Sequence, residues 1–369
     1  MQTDILDRVV ERTIEIQQIP APTFAEGPRA EYVFQAFEDE GLADVEIDQV
    51  GNVYGRLPGA GIGDSLVVSA HTDTVFPQET DLRVSRKSGR IYGPGIGDNS
   101  LGVAGLFGLL WLLREEDIQL PGDLWLVANV GEEGLGDLYG MREVVARFGN
   151  QPLGYVILEG LAFGRLYHRG LGVKRYRIAV ETVGGHSWVD YGSPSAVHEL
   201  AGLVADLAKI RLPKRPRTTM NVGRIAGGVS INTIAPSAWI EVDLRSEDGK
   251  TLEHICTKVE SAVKAAERRD VSYKLEQIGY REFGEIPVDH PLVLLGMDAL
   301  RRQGVEPDLL IGSTDANIPL SKGIPAICIG LASGGAAHTV HEFMLVENLP
   351  RGLAQLLEIV TESFQKLAS

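Results

Sequence analysis

The sequence predicts an α/β protein in which a smaller domain is inserted into a larger one. Its 369 residues exceed the length that one hydrophobic core usually supports, so two domains are expected. Apolar strands alternate with helices over residues 1–171 and again over 284–369, which is typical of an α/β sandwich. The intervening residues 172–283 follow the order βαββαβ, which predicts a separate two-layer unit.

The first part of the larger domain begins with two helices. Apolar residues at helical spacing from Leu6 to Ile16 predict the first helix, which ends before Pro20. A second helix is expected from about Glu26 to Glu40. Short apolar runs predict strands at 45–47, 52–55, 66–70, 123–130 and 155–158. The run at 102–113 is apolar on all sides, which predicts a helix covered by the sheet and by further structure.

The inserted segment and the end of the chain continue these patterns. Alternating polarity over 173–182 predicts a half-exposed strand, and the turn GGHSW follows it. The remaining elements of the inserted unit are expected as a helix at 194–209, strands near 218–226 and 236–246, a helix near 250–268 and a strand near 271–277. The α/β pattern then resumes with a helix at 291–303, strands near 308–311 and 326–330, and a helix at 347–367.

Composition and charge exclude several classes of function. A net charge of −15 and a pI near 5.0 argue against a nucleic-acid or anionic-membrane partner. Cys256 and Cys328 form neither a CxxC pair nor a disulfide framework, which is typical of a reducing compartment. The N-terminus lacks the basic and apolar regions of a signal peptide, and no run approaches the roughly 18 uninterrupted apolar residues of a membrane helix. We therefore expect a soluble, cytoplasmic protein.

Polar side chains follow three of the predicted strands at the point where each strand ends. HTD follows the strand at 66–70, GEEGLGD follows 123–130, and Glu159 follows 155–158. Ligands of α/β sheets bind at the carboxyl ends of the strands, so these groups are expected to lie together. With a carboxylate from the GPGIGD turn and a histidine near the end of the chain, the candidates are His71, Asp73, Asp98, Glu132, Glu133, Glu159 and His338.

Imidazole and carboxylate groups in this combination predict a site for a borderline metal ion such as zinc. The alternative is purely structural, since adjacent glutamates after a strand usually form a solvated turn and a lone histidine usually belongs to the surface or the core. The metal site is favoured because the residues follow apolar strands and recur at one edge of the sheet. Several close carboxylates would also repel one another strongly without cations.

These motifs and their order resemble the M20 family of metallopeptidases and amidohydrolases, which includes carboxypeptidase G2, succinyl-diaminopimelate desuccinylase, acetylornithine deacetylase and peptidase T. The matching segments are SAHTDTV, GPGIGDNSLG, VGEEGLGD, LEG, GGHS, DLR, GSTDAN and AHTVHE. The resemblance implies a zinc-peptidase-like α/β/α catalytic domain at 1–171 and 284–369. It also implies an inserted ferredoxin-like lid and dimerisation domain at 172–283. The match is specific for the family and not for the substrate.

The resemblance implies two zinc ions per chain, for which cobalt or manganese can substitute. Asp98 would bridge the two ions. His71 and Glu159 would complete the ligand set of one ion, and Glu133 and His338 that of the other. The family pattern HxxxE implies that the ligand is His338, four residues before the glutamate.

The remaining implied roles concern catalysis and substrate binding. Glu132 would be the general base, because it is next to a ligand without being one. Asp73 would fix the tautomer and ring orientation of His71. In the inserted domain, the resemblance places an oxyanion-contacting histidine at His186, and contacts to a substrate carboxylate at Arg245 and Asn232.

Alternatives stay open at this point. The favoured function is hydrolysis of the amide bond of a small peptide or an N-acyl amino acid, by a peptidase or a deacylase. Glutamate at position 159 favours the carboxypeptidase and deacylase branches over peptidase T. A non-catalytic binding protein on the same fold would lack the general base or one of the metal ligands, and this sequence contains all of them. A dinuclear phosphoesterase is disfavoured by the inserted lid. A homodimer through the lid is expected, and His186 serves either its own site or the partner's.

Overall fold

The protein, described by a computed structural model over residues 3–367, contains both helices and strands. The α-helices are α1 (Thr3–Gln17), α2 (Gly27–Asp39), α3 (Gly102–Glu115), α4 (Tyr139–Phe148), α5 (Ala196–Leu207), α6 (Gly249–Ala266), α7 (Pro291–Arg302), α8 (Asn317–Ser321) and α9 (Leu349–Lys366). Short helical turns lie at Ile96–Leu101 and Val346–Asn348.

The first strands are β1 (Ala43–Ile47), β2 (Val53–Leu57), β3 (Leu66–His71), β4 (Ser85–Lys87), β5 (Arg90–Tyr92), β6 (Leu124–Asn129), β7 (Tyr155–Glu159), β8 (Arg165–Gly170), β9 (Gly172–Thr182) and β10 (Gly185–His186). The later strands are β11 (Thr218–Gly227), β12 (Thr233–Ile234), β13 (Ser237–Ser246), β14 (Val271–Arg281), β15 (Gly284–Glu285), β16 (Asp308–Gly312), β17 (Ala326–Gly330), β18 (Ser333–Gly335) and β19 (Phe343–Leu345).

The chain divides into two compact units. The first unit runs to Gly170 and resumes at Gly284, and the second is Leu171–Phe283. Each unit has its own hydrophobic core. The α/β class, with a large mixed sheet and a separate antiparallel sheet, is confirmed. The assignment of the two units as a catalytic domain and a lid domain stays a prediction.

The first unit is built on a nine-stranded mixed sheet within the described residues, in the order β1-β2-β6-β3-β7-β17-β8-β15, with β16 paired to β8. Strands β6, β3, β7 and β17 run parallel to their neighbours in this series. The register pairs His71 with Asn129 and Glu159 with Gly330. The last residues of these four strands therefore meet at one edge of the sheet.

Helices cover both faces of this sheet. A side chain at position 55 of β2 would point at helix α2, because a β-carbon added to Gly55 would lie 2.9 Å from the ring of Phe37. Helix α2 therefore packs on that face of the sheet. The neighbouring Tyr54 contacts Phe148 of α4, with ring centroids 6.0 Å apart. Because successive residues of a strand point to opposite faces, α2 and α4 lie on opposite sides of the sheet. This gives the three-layer α/β/α arrangement.

Helix α3 is the central helix of the first unit. It packs on β3 and against α1 and α9, and its residues 102–113 are all buried. The segment Ile96–Glu115 is long and apolar enough to cross a membrane by length and composition, but 94% of its apolar 18-residue stretch is buried inside the protein. Burial among other elements is the environment that an all-round apolar helix requires.

The second unit has the element order β9-α5-β11-β13-α6-β14. Its sheet is antiparallel in the order β11-β13-β9-β14, so β11 and β14 are the edge strands. Burial alternates along β13, and helices α5 and α6 supply the other layer of the core. This is the ferredoxin-like βαββαβ topology. Cys256 of this core and Cys328 of the first unit are buried free thiols.

Several short elements were not predicted from the sequence. Helix α4 is only ten residues long and starts after Leu138, whose φ is 64°. Strands β4, β5, β18 and β19 form a small sheet in which each strand has three residues. Such short segments show no hydrophobic period, and their pairing depends on parts of the chain that are distant in sequence.

Candidate metal centre

Three strand ends bring the first group of candidate residues together. His71 is the last residue of β3, Glu159 is the last residue of β7, and Glu133 lies in the loop that follows β6. The parallel register sets these residues side by side at the carboxyl edge of the sheet. The buried strands thus explain why charged residues, separated by up to ninety positions, converge at one place.

Asp98 reaches the same place from a distorted turn before α3. Its φ and ψ of −106° and 92° are not helical, and its peptide bond to Asn99 is cis. The Asn99 side chain donates to the Leu158 carbonyl (2.8 Å) and accepts from the Gly160 N–H (2.9 Å). A β-carbon at Gly160 would lie 1.9 Å from the Gly97 carbonyl oxygen, so only glycine allows this close approach of the two loops.

Asp98 is shared between two groups of three metal-binding side chains. Its Oδ1 lies 3.3 Å from His71 Nε2, and His71 Nε2 lies 3.8 Å from Glu159 Oε2. Its Oδ2 lies 3.1 Å from His338 Nε2, which is 3.0 Å from Glu133 Oε1. Within each group, one ligand atom per residue lies within 4.8 Å of the others. The five proposed ligands therefore form two adjoining sites with one common carboxylate.

Asp73 orders the neighbouring loop and is completely buried. Its two carboxylate oxygens accept the backbone N–H groups of Glu132 (2.9 Å) and Glu133 (2.8 Å). Its Oδ1 also lies 3.4 Å from His71 Nδ1, on the opposite side of the ring from Asp98. Although burial opposes it, the hydrogen bond to His71 holds the pKa of Asp73 below its ordinary value. Asp73 thus holds one ligand and the loop that carries another.

The carboxylates of the cluster raise the pKa values of its two imidazoles. Hydrogen bonds to Asp98 and Glu133 raise the pKa of His338 to about 10. Burial favours the neutral form of His71, yet Asp73, Asp98 and Glu159 raise its pKa well above the ordinary value. Burial raises the pKa of Glu159. Both histidine pKa values thus move in the direction expected when carboxylates crowd around an imidazole, which marks the cluster as a place that attracts cations.

The donor set fits two metal ions of zinc type. Each group offers one imidazole nitrogen and carboxylate oxygens, which are ligands that zinc accepts and that cobalt and manganese also accept. His71 and Glu159 would hold one ion and Glu133 and His338 the other, with Asp98 between them. Fewer than four protein residues then surround each ion, which leaves room for a water or substrate, as in catalytic zinc sites.

Glu132 is placed beside the ligands by the same loop. It is buried, with 6% of its surface exposed, and it follows the Gly131 turn directly before Glu133. Within the described residues, neither of the two metal-binding groups includes Glu132. A buried carboxylate next to a metal-binding group is well placed to accept a proton.

The other predicted site residues lie in the second unit. His186 of β10 is exposed and pairs in register with Thr233 of β12. The carbonyl of Asn232 accepts the N–H of Ser187, so Asn232 lies next to the His186 turn although 46 positions separate them in the sequence. Arg245 of β13 donates from Nε to Asp243 Oδ1 (2.7 Å).

Glu342 is a residue of this centre whose role the sequence analysis missed. It is fully buried, and its carboxylate accepts the N–H groups of Gly95 (3.1 Å), Gly97 (2.8 Å) and Asp98 (2.8 Å). Burial raises the pKa of Glu342 to about 7. The only sequence signal was its position four residues after His338. Its contacts identify a positioning residue that holds the loop carrying the shared carboxylate.

Asp315 of the GSTDAN segment is a second such residue. It is fully buried, and its Oδ2 accepts the side-chain N–H of Asn129 at 2.7 Å. Burial raises the pKa of Asp315 to about 7. Because Asn129 pairs with His71 at the end of the sheet, Asp315 supports the strand end next to a ligand.

Replacing Glu342 by glutamine is expected to weaken metal binding by about 10–100-fold while the protein stays folded. The glutamine side chain keeps one oxygen that can accept a hydrogen bond, but its NH₂ group would face backbone N–H groups and could not accept from them. The loop that carries Asp98 would therefore lose some of the hydrogen bonds that Glu342 now accepts. Metal titration with a chromophoric competitor measures the affinity. Glu347→Gln, an exposed change five residues along the chain, is the matched control. A folded Glu342→Gln protein with unaltered metal affinity would contradict this role.

Comparisons with known proteins show which family this chain resembles. The model of Peptidase family M20/M25/M40 matches residues 67–362. An uncharacterized protein, YqjE of Bacillus subtilis, is 24% identical over 380 residues, which cover 96% of this chain and 98% of that protein. Acetylornithine deacetylase of Proteus mirabilis is 26% identical over 347 residues, which cover 85% of each chain.

A solved structure shows the same fold. The aminopeptidase PepT of Bacillus cereus superposes with a TM-score of 0.79 at 23% sequence identity, covering 97% of this chain and 98% of that one. The match to the family model spans most of the chain, from the strand before His71 to the last helix. The chain belongs to peptidase family M20/M25/M40 and is a metallopeptidase or amidohydrolase of that family.

Proposed function

We propose that this protein is a two-metal hydrolase that cleaves the amide bond of a small peptide or an N-acyl amino acid. The observation that carries the proposal is the position of Asp98, which directs one carboxylate oxygen to His71 and the other to His338. A carboxylate shared in this way holds two cations close together, and two adjacent cations are a known arrangement for hydrolysis.

Zinc is the metal we propose for both positions, with cobalt or manganese as working substitutes. Bound there, the two ions would polarise the scissile carbonyl and lower the pKa of a water molecule. His71 is held for this task at Nδ1, which lies 3.1 Å from the backbone carbonyl oxygen of Asp73 and 3.4 Å from its carboxylate, so that Nε2 faces Asp98. A fixed ring keeps the metal-binding nitrogen pointing at its site.

Glu132 is the proposed general base. It takes one proton from the attacking water and returns it to the amide nitrogen as the C–N bond breaks. The hydrogen bond from its own N–H to Asp73 holds its backbone next to the ligand loop. The products are a carboxylic acid and an amine, and no further reactant is needed.

His186 is the proposed donor to the oxyanion. Its Nδ1 accepts the N–H groups of Trp188 (3.2 Å) and Val189 (3.4 Å), so the proton of the neutral ring is assigned to Nε2. The exposed Nε2–H is then free to donate to a developing negative charge, which is worth about 10²–10³ in rate for comparable donors.

A homodimer through the second unit is part of the proposal. The edge strand β11 is largely exposed and offers unpaired backbone groups to another strand. Large apolar side chains in the same unit are also exposed, among them Trp188, Tyr191, Ile225 and Ile231. A patch of this kind is typical of a protein–protein contact. In such a dimer, His186 would serve the partner's metal centre.

Mixing two inactive variants tests whether His186 acts across subunits. His186→Ala and Glu132→Gln proteins are each expected to be nearly inactive, but their mixture should recover activity after subunit exchange. About a quarter of the sites would then combine an intact Glu132 with the partner's intact His186. The measurement is turnover before and after exchange, with each variant alone as the control. A mixture without recovered activity, despite heterodimers detected by mass spectrometry, would show that His186 serves its own chain.

The substrate class is tested by a panel of amides. We propose that Arg245 and Asn232 contact a carboxylate of the substrate, which favours free amino-acid and peptide ends over esters or phosphates. Dipeptides, tripeptides, and N-acetyl and N-succinyl amino acids should be offered to zinc-loaded protein, with release of the free amine as the readout. Turnover of acyl amino acids alone assigns a deacylase, and turnover of peptides alone assigns a peptidase. No turnover of any amide would favour a binding protein on the same fold.

A further inference from the structure

A groove in the second unit is lined by basic side chains, and we call it the basic groove. It lies between α6 and the segment that follows α5, and its volume is about 560 Å³. Its lining includes the cations Arg211, Lys250 and Lys258 and the imidazole of His254, together with the apolar side chains of Leu212 and Ile255. A volume of this size is typical of a site for a small molecule.

The basic residues of one wall are aligned along α6. Lys250, His254 and Lys258 follow one another at intervals of four residues, so they share one face of the helix at a rise of about 6 Å each. The opposite wall belongs to the segment KIRLPKRPR at 209–217, which contains five basic residues and no acidic one. The two walls together direct Arg211, Lys250 and Lys258 to one groove.

The groove has no carboxylate in its lining. Within the described part of the chain, none of Arg211, Lys250 and Lys258 forms an ion pair. The acid nearest to Lys250 in the sequence is Asp248, whose Oδ1 accepts the backbone N–H (2.7 Å) and hydroxyl (2.6 Å) of Thr251. The hydrogen bonds from Thr251 and, to a smaller extent, the charge of Lys250 hold the pKa of Asp248 below its ordinary value, but Asp248 does not line the groove. The net charge of the chain is −15, whereas the charged side chains that line this groove are all basic, so the local charge is opposite to the overall charge.

We propose that the basic groove binds a small molecule with two or more adjacent phosphate groups. Adjacent phosphates place several negative charges within a few Å, which matches a convergence of lysine, arginine and histidine in a groove of small-molecule size. The hydroxyl of Thr251 adds a neutral polar group to the lining. An acidic peptide is the competing ligand, and the hexaglutamate titration described below separates it from a phosphate compound. The proposal is independent of the proposed amide hydrolysis.

Calorimetric titration of the zinc-loaded protein tests the site. The probes are ATP and inorganic tripolyphosphate, each saturated with magnesium so that it does not extract metal from the hydrolytic centre. We expect one saturable site outside that centre, with an affinity that falls at least about threefold between 50 and 200 mM salt. Tighter binding of ATP would identify a nucleotide-like ligand, and equal binding would identify the oligophosphate alone; both support the proposal.

Charge-neutralising variants locate the binding. The double change Lys250→Gln and Lys258→Gln is expected to weaken both probes by about tenfold or more. Lys264→Gln on the same helix, exposed and outside the groove, is the matched control and should leave binding unaltered. Metal content and amide turnover should be the same in all these proteins, since none of the three lysines belongs to the metal centre.

Three results would overturn the proposal. The first is the lack of saturable binding of either probe at 50 mM salt. The second is binding that survives in the double variant, which would place the probes elsewhere, for example at the metal centre. The third is tighter binding of hexaglutamate than of both phosphate probes, which would assign the groove to an acidic peptide.

Discussion

Glu132→Gln protein is expected to keep its metal ions and to lose amide turnover by about 10²–10⁴-fold. The change preserves the shape of the side chain and the backbone bond to Asp73, but it removes the group that accepts a proton. Since Glu132 belongs to neither of the metal-binding groups found among residues 3–367, its loss should leave both groups complete. Turnover number and metal content, measured on the same preparation, check both parts of this expectation.

Glu133→Gln is the matched comparison for this experiment. The two glutamates are adjacent and equally buried, and both donate their N–H groups to Asp73. Glu133 Oε1 lies 3.0 Å from His338 Nε2 and belongs to one of the two metal-binding groups of the described residues, so replacing Glu133 should weaken metal binding. Near wild-type turnover in metal-loaded Glu132→Gln protein would reject Glu132 as the base.

Asp98→Asn protein is expected to lose both metal ions, the largest change in metal content among single substitutions. Its two carboxylate oxygens belong to different groups, so one change removes a charged ligand from both. His71→Ala and His338→Ala should each empty chiefly one position. Elemental analysis after dialysis against zinc is expected to give about two ions per wild-type chain, as two adjoining sites require, about one in each histidine variant and close to none in Asp98→Asn.

The control for this series is Asp7→Asn, an exposed position on α1, which should bind the wild-type amount of zinc. Circular dichroism shows whether each variant is folded, so that metal loss is not confused with unfolding. Equal metal content in wild type and in both histidine variants would contradict the assignment of the ligands. Loss of a single ion in Asp98→Asn would contradict the shared position of Asp98.

The sequence alone predicted most of the large elements. Helices α1, α6 and α9 have apolar residues at helical spacing, because one face of each is buried. Helix α3 and the strands that end at His71 and Glu159 are instead continuous apolar runs, because they are buried on all sides. The motifs that end these strands also predicted which residues would gather, since parallel strands deliver their carboxyl ends to one edge. The family was confirmed by the match over residues 67–362.

Only the tertiary structure identified the residues that support the ligands. Nothing near Glu342 in the sequence indicates that it binds the backbone at Gly95 to Asp98, because more than 240 residues separate the partners. The same holds for Asn99, which joins the Asp98 loop to the turn after Glu159. Such contacts form where loops that are distant in sequence come together, and no periodic pattern of residues along the chain predicts them.

The sequence by itself determined the fold class, the family and the residue types of the metal centre. Those properties follow from hydrophobic periodicity and from polar residues placed directly after buried strands. The tertiary structure alone decided that Asp98 divides its oxygens between two histidines, that Asp73 binds the Glu132–Glu133 loop, and that basic residues on α6 face a groove. Distances between side chains are set by how the loops and helices pack, and no spacing along the chain encodes that packing.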